Sequence, residues 1–168
     1  LHTISTGTHV GAIASILGRG DAAFVTAEGY AIPDPLPPPL ASEPELADFN
    51  GDGVPDVVVA KAATGYTLLG RTDGTFDAAF ACTSAFNPEA LASGDVNADG
   101  ARDLAGVRYS DLSLHVRLGN GNGSFPHATA APIGSGLRHV ELADLDGDGA
   151  LDALVAAKEI GLCFLHGL

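Results

Sequence analysis

Three nine-residue stretches concentrate carboxylates at regular steps: DFNGDGVPD from Asp48 to Asp56, DVNADGARD from Asp95 to Asp103, and DLDGDGALD from Asp144 to Asp152. Each has Asp at position one, Asn or Asp at three, Asp at five, Gly at six and Asp at nine. Carboxylates packed this closely repel one another unless a cation neutralises them. Ca2+ takes about 6–8 oxygen ligands, and a turn offering oxygens at alternate positions can wrap one ion while glycine allows the sharp bend. Positions one, three and five meet that need. An EF-hand shares this opening but closes with a bidentate Glu at position twelve and a helix. Position twelve here is Val59, Gly106 or Val155, each inside a predicted strand. Catalysis is the rival use of clustered acids. It calls for one asymmetric site, whereas these groups recur equivalently along the chain. The six histidines (His2, His9, His115, His127, His139, His166) show no HExxH spacing, and no GxSxG turn is present. The expectation is a chain that is not an enzyme.

The elements that must hold these loops repeat with them. The loops start at 48, 95 and 144, a period in the range of repeat architectures. After each comes a short apolar run, DVVVA at 56, DLAGV at 103 and DALVA at 152, then a turn and a second run such as YTLLG or LSLHVRLG. Short, Gly-bounded, β-branched segments of this kind read as strands. A Gly-rich turn closing on Phe follows, GRTDGTF ending at Phe76 and GNGNGSF ending at Phe125. A further strand and an apolar stretch (EALAS, HVELA) lead into the next loop, making four strands per unit. LGRGDAAF at 17–24 aligns on LGRTDGTF at 69–76, so a partial unit opens the array; GLCFLHGL ends it before the last Gly turn. The alignment reads the Arg-Gly-Asp triplet at 19–21 as turn chemistry. The expected total is fourteen strands, distributed three, four, four and three. Four-stranded units of this length are the blade pattern of a β-propeller. The predicted fold is all-β, a propeller-type array of about 3.5 blades, completed by a neighbouring chain or further blades.

The chain's 168 residues, 46% hydrophobic, suffice for a real core. A formal charge of −13 argues against nucleic acid and anionic lipid as partners. Ten of the 21 acidic residues lie in the three loops, where a metal could neutralise them. No apolar run is long enough to span a bilayer, so no membrane insertion is expected. A start at Leu1 and the lack of Met point to a processed product or a portion of something longer. Cys82 and Cys163 form no CxxC pair and leave the redox compartment open. The Pro-rich segment PDPLPPPLASEPE, 33–45, reads as a stiff connector.

DxDxDGxxD, the strand after it and the GxGxF turn together resemble the FG-GAP/VCBS repeat family, whose blades build integrin α-type propellers and many bacterial surface proteins. The resemblance implies ligation by the side chains at positions one, three, five and nine and the carbonyl at seven. These are Asp48, Asn50, Asp52, Val54 and Asp56; Asp95, Asn97, Asp99, Ala101 and Asp103; and Asp144, Asp146, Asp148, Ala150 and Asp152. About three Ca2+ ions are expected. The units divide as a partial blade at 1–32, the connector at 33–45, blades at 46–90 and 91–136, and an incomplete blade at 137–168. The resulting expectation is an extracellular or cell-surface structural or adhesive module, calcium-stabilised and assembling with copies of itself through edge strands. A cell-surface protein or glycan is the other partner class. A ligand- or carbohydrate-binding, lectin-like propeller and a noncatalytic portion of a larger secreted protein are the alternatives.

Overall fold

The computed structural model describes residues 12–18, 24–33, 42–134, 136–158 and 161–166. Among them there is no helix, and every regular element is an antiparallel strand. The first sheet pairs β1 (Ala12–Gly18) with β2 (Phe24–Ala31). The second runs β3 (Glu45–Ala47), β4 (Asp56–Lys61), β5 (Thr64–Leu68), β6 (Phe80–Ser84). The third runs β7 (Ala90–Gly94), β8 (Asp103–Arg108), β9 (Ser113–Leu118), β10 (His127–Pro132). The fourth runs β11 (Leu137–Ala143), β12 (Asp152–Ala157), β13 (Gly161–Leu165). Each sheet keeps chain order from edge to edge, as an up-and-down blade does. The strand expected before β1 falls in residues 1–11, outside the described residues, as do Arg19 to Asp21 of the Arg-Gly-Asp turn and residues 34–41 of the Pro-rich connector.

The sheets stack face to face. Side chains alternate between the two faces of a strand, and each face of a blade is buried by a different neighbour. Val57, Val59, Tyr66 and Leu68 of the second sheet pack with Ile32, which follows β2. On the opposite face Val58 and Cys82 join Phe49 and Phe86 against Leu104 and Phe125 of the third unit. Ala105, Val107 and Leu114 then meet Leu137, Val140, Ala153 and Val155 of the fourth. Burial on both sides explains why DVVVAK of β4 is buried at all six positions, an apolar run without alternation. The first strands converge, since β3 contacts β7 and β7 contacts β11.

Arg117 is a charged side chain at one of these joints. It lies in β9 but is only 8% exposed, with Nη2 donating to the carbonyls of Ser84 (2.9 Å) and Ala85 (3.0 Å) of the second unit. Its guanidinium stacks over Phe86 at 5.3 Å. Burial, with help from the Arg108 charge, pulls its pKa below the ordinary value.

Both cysteines are free, and they differ in setting. Cys82 is buried in the joint between second and third sheets, and desolvation pushes its thiol up to about 11. Cys163 is partly exposed on β13. At pH 8 the thiolate fraction at Cys82 is therefore only about 0.1%, and thiolate is the reactive form. A native-state pulse of iodoacetamide is expected to label Cys163 alone, with Cys82 labelled only after denaturation. Equal labelling by peptide mass spectrometry would contradict this arrangement.

Candidate metal centres

Each acidic loop joins the first two strands of its sheet, so its position-nine aspartate is also the first residue of β4, β8 or β12. The position-one carboxylate gathers the loop. Asp48 accepts from the N–H groups of Gly51 (2.7 Å), Asp52 (3.2 Å) and Gly53 (2.8 Å). Asp95 accepts from Asp99 (3.1 Å) and Gly100 (2.8 Å), and Asp144 from Gly147 (2.7 Å) and Gly149 (3.0 Å). At position three, Asn50, Asn97 and Asp146 accept the N–H of position five. At position five, Asp52, Asp99 and Asp148 accept the N–H of Val54, Ala101 and Ala150, each at 2.8 Å. These bonds fold the side chains of positions one, three and five back over the backbone of their own loop.

The electrostatics follow the same bonds. Partial burial opposes ionisation of Asp48, but the N–H groups of Gly53, Gly51 and Asp52 outweigh it and hold its carboxyl below the ordinary value. Asp99 is lowered by the N–H of Ala101 and the Asn97 amide. Carboxylates already ionised in the native loop are ready for a cation. The stability that this ionisation supplies is present above the ordinary carboxylate pKa and lost as pH falls through the lowered values.

Positions four and six bend through positive φ: Gly51 (76°) and Gly53 (82°), Gly147 (83°) and Gly149 (93°). The second loop departs, because Ala98 occupies position four at φ 57°. A side chain there costs about 1–2 kcal/mol.

The position-nine aspartates turn inward and are almost completely buried. Asp56 accepts from the N–H of Phe49 (2.8 Å) with one oxygen and of Gly70 (2.7 Å) with the other. Asp103 repeats this with Val96 (2.9 Å) and Gly119 (2.8 Å). Asp152 accepts from Leu145 (3.0 Å). Each thus ties position two of its loop to the sheet, and in the second and third sheets also to the turn after the third strand. The glycine at that turn is obligatory: a Cβ on Gly70 would lie 2.1 Å from the Pro55 carbonyl oxygen, and one on Gly119 2.1 Å from that of Arg102. Burial raises the Asp103 carboxyl above its ordinary value, against the two N–H bonds and with the added repulsion of Asp99 and Asp95.

In the third loop one carboxylate oxygen from each of Asp144, Asp146 and Asp148 lies within 4.8 Å of the other two. That is the span across an ion with ligand bonds of about 2.3–2.6 Å, so the donor set fits Ca2+. In the first two loops the amides of Asn50 and Asn97 instead bond the carboxylates of Asp52 and Asp99, each at 2.8 Å. The third loop also has a neighbour that sequence spacing did not reveal. His166 places Nδ1 3.6 Å from both Asp146 and Asp152. Pairing of Leu165 with Ala153 in the β12–β13 hairpin carries it there. Between the first two loops lies an open cleft of about 560 Å3, lined mostly by loop residues with Arg102 and Asn120.

Blade-like sheets, with an acidic loop recurring between the first two strands of three of them, define a propeller-type repeat domain. The sequence profile of the FG-GAP-like repeat matches residues 48–105 and 95–155, more than half of the chain. The chain belongs to the FG-GAP-like repeat family. Comparison with curated proteins gives no match.

Proposed function

We propose that this chain is a calcium-stabilised, extracellular structural or adhesive module without catalytic activity. One observation carries the reading: the same fold-back of oxygen-bearing side chains recurs in three successive units, each placed where it fixes the hairpin that starts a blade. Ca2+ bound there would neutralise the loop charge, held by the side chains of positions one, three and five, with the position-seven carbonyls of Val54, Ala101 and Ala150 and the position-nine carboxylates completing the set. Stabilised blades then display faces and edges to partners, among them copies of the chain and cell-surface proteins or glycans. The family's occurrence in surface proteins supports an extracellular setting. No helix among the described residues is long and apolar enough to cross a membrane.

Isothermal titration of the calcium-free chain is expected to give a stoichiometry near three, and absence of heat and of any binding by equilibrium dialysis would overturn the reading. The third loop should bind most tightly relative to the second. It offers four carboxylates to three, and ligand charge tunes affinity. The second also carries Arg102 at position eight and the strained Ala98. Asp148→Ala should therefore remove the tightest phase of the isotherm and Asp99→Ala a weaker one. Ala98→Gly should strengthen the second loop, and an unchanged isotherm would reject strain as part of the ranking.

A further inference from the structure

Five asparagines occur in the chain, and three of them, Asn50, Asn120 and Asn122, precede glycine. That pairing is open to a spontaneous reaction, because a residue without Cβ lets its backbone nitrogen approach the preceding side chain closely. The glycine nitrogen bonds to the asparagine side-chain carbonyl carbon, the amide carbon–nitrogen bond breaks, and ammonia leaves a succinimide ring. Water then opens the ring at one carbonyl or the other, giving aspartate or isoaspartate. Asn87 is followed by Pro88, which has no N–H to lose, and Asn97 by Ala98, whose Cβ crowds the approach. Among the three Asn-Gly pairs, the order of reaction is set by how firmly the fold holds each nitrogen.

Asn50 is held on both sides. The Gly51 N–H donates to the Asp48 carboxylate (2.7 Å), which turns the attacking nitrogen away from the Asn50 side chain. The Asn50 amide is fixed at both atoms, with Oδ1 accepting from the Asp52 N–H (3.0 Å) and Nδ2 donating to the Asp52 carboxylate (2.8 Å). Asn122 is held through its glycine. Gly123 is buried, its N–H donates to the Phe49 carbonyl (3.0 Å), and its own carbonyl accepts from the Thr67 hydroxyl (2.7 Å). Asn122 Oδ1 also accepts from the Ser124 N–H (3.0 Å).

Gly121 is bound by none of these restraints. It is exposed, it bends through φ 72°, and nothing beyond its chain neighbours lies within 4 Å of where a Cβ would stand. Its N–H makes no hydrogen bond to another residue among those described. The Asn120 side chain donates to the Ser124 hydroxyl (2.8 Å) and accepts from the Asn122 N–H at a longer 3.3 Å. The Gly-rich turn is therefore pinned to the second unit at Gly123 and Phe125 and open at Gly121. Asn120 and Gly121 line the cleft between the first two acidic loops, together with Asp48, Asp99 and Arg102.

We propose that Asn120 is a site of spontaneous modification, where closure by the Gly121 nitrogen and ring opening by water place a carboxylate on the wall of that cleft, while the fold protects Asn50 and Asn122. Each hydrogen bond that must open before closure slows it about 2–12-fold. The difference lies in the attacking nitrogen, free at Gly121 and bonded at Gly51 and Gly123. The proposal is independent of the calcium reading, since the bonds that protect Asn50 and Asn122 are made by the protein itself.

The test is peptide mapping by tandem mass spectrometry of the full chain incubated in warm, mildly alkaline buffer with calcium present, with circular dichroism as the check on folding. Conversion replaces NH2 by OH, so each site is read from its gain in mass, and fragment ions separate Asn120 from Asn122. In the native chain Asn120 is expected to convert about tenfold faster than Asn50 or Asn122, the effect of about one to two such bonds. In denaturant the three rates should converge. Equal native rates, or a native chain in which Asn50 or Asn122 leads, would overturn the proposal. So would an Asn120 that stays intact natively while the denatured chain converts, or an order that survives denaturation, which would place the control in local sequence instead of the fold. Asn120→Gln keeps the amide but lengthens its arm and disfavours closure. It should erase the more acidic species that accumulates on anion exchange, and persistence of that species would overturn its assignment to Asn120.

Discussion

Asp103→Ala is expected to destabilise the third sheet by about 2–3 kcal/mol, because it strips the acceptor from two part-buried backbone donors, each at the lower end of about 1–3 kcal/mol. The donors are the N–H groups of Val96 and Gly119. The backbone at Gly119 has little room to shift toward another acceptor, since a Cβ there would lie 2.1 Å from the Arg102 carbonyl oxygen. Asp103→Asn keeps one acceptor oxygen but turns an NH2 toward the second N–H, so it should lose most of the same energy. Asp99→Ala is the control: its carboxylate bonds an exposed loop N–H and the Asn97 amide, which water can replace. Chemical denaturation in chelator isolates this latch from any metal-binding role. There Asp103→Ala should cost several times more than Asp99→Ala, and equal losses would mean that position nine works only through the ion. The same substitutions in saturating calcium should bring Asp99→Ala closer to Asp103→Ala, since the cation-binding share then returns to both.

What was legible in the sequence is what repeats locally. DxDxDG at three places, β-branched runs after it and a Gly turn closing on Phe were enough for an all-β blade array and for the oxygens of positions one to five. Contacts between units were not legible, because their partners lie far apart in sequence. Arg117 occupies the position of Leu68 in the unit before and Leu165 in the unit after, an apolar place in the pattern. It is tolerated because the carbonyls of Ser84 and Ala85, more than thirty residues away, accept its N–H groups. His166 reads as one more scattered histidine until the β12–β13 register sets it beside Asp146 and Asp152. Position nine reads as a fourth ligand, but its burial and two-sided bonding to backbone follow from where β4 and β8 begin relative to Gly70 and Gly119. The Phe of each Gly turn reads as part of a hairpin, and only the stacked sheets show that its ring belongs to the unit before.

Withdrawal of calcium is expected to have the largest effect of all. With a dissociation constant of about 10 µM and free calcium of about 1 mM, each site adds about 2.7 kcal/mol by mass action. Three sites then contribute about 8 kcal/mol, comparable to the whole stability of a typical domain of about 5–15 kcal/mol. The calcium-free fold is itself weakened by repulsion, because the carboxylates of Asp144, Asp146 and Asp148 remain crowded in the native fold and can spread apart in the unfolded chain. Salt should recover part of that repulsion by screening exposed charges. It should not recover the share due to coordination. Differential scanning calorimetry in 1 mM calcium, in chelator, and in chelator with added sodium chloride separates these contributions. The melting temperature should fall steeply in chelator and return only partway with salt, and an unchanged melting temperature in chelator would remove calcium from the stability of this fold. His166 adds a distinguishing detail at the third loop. Imidazole nitrogen suits zinc and other first-row ions better than calcium, whose ligands are oxygens. His166→Gln should therefore leave the calcium-dependent melting shift nearly unchanged while weakening any shift produced by zinc, whereas equal effects on both ions would show that the histidine acts through the fold and not through the metal.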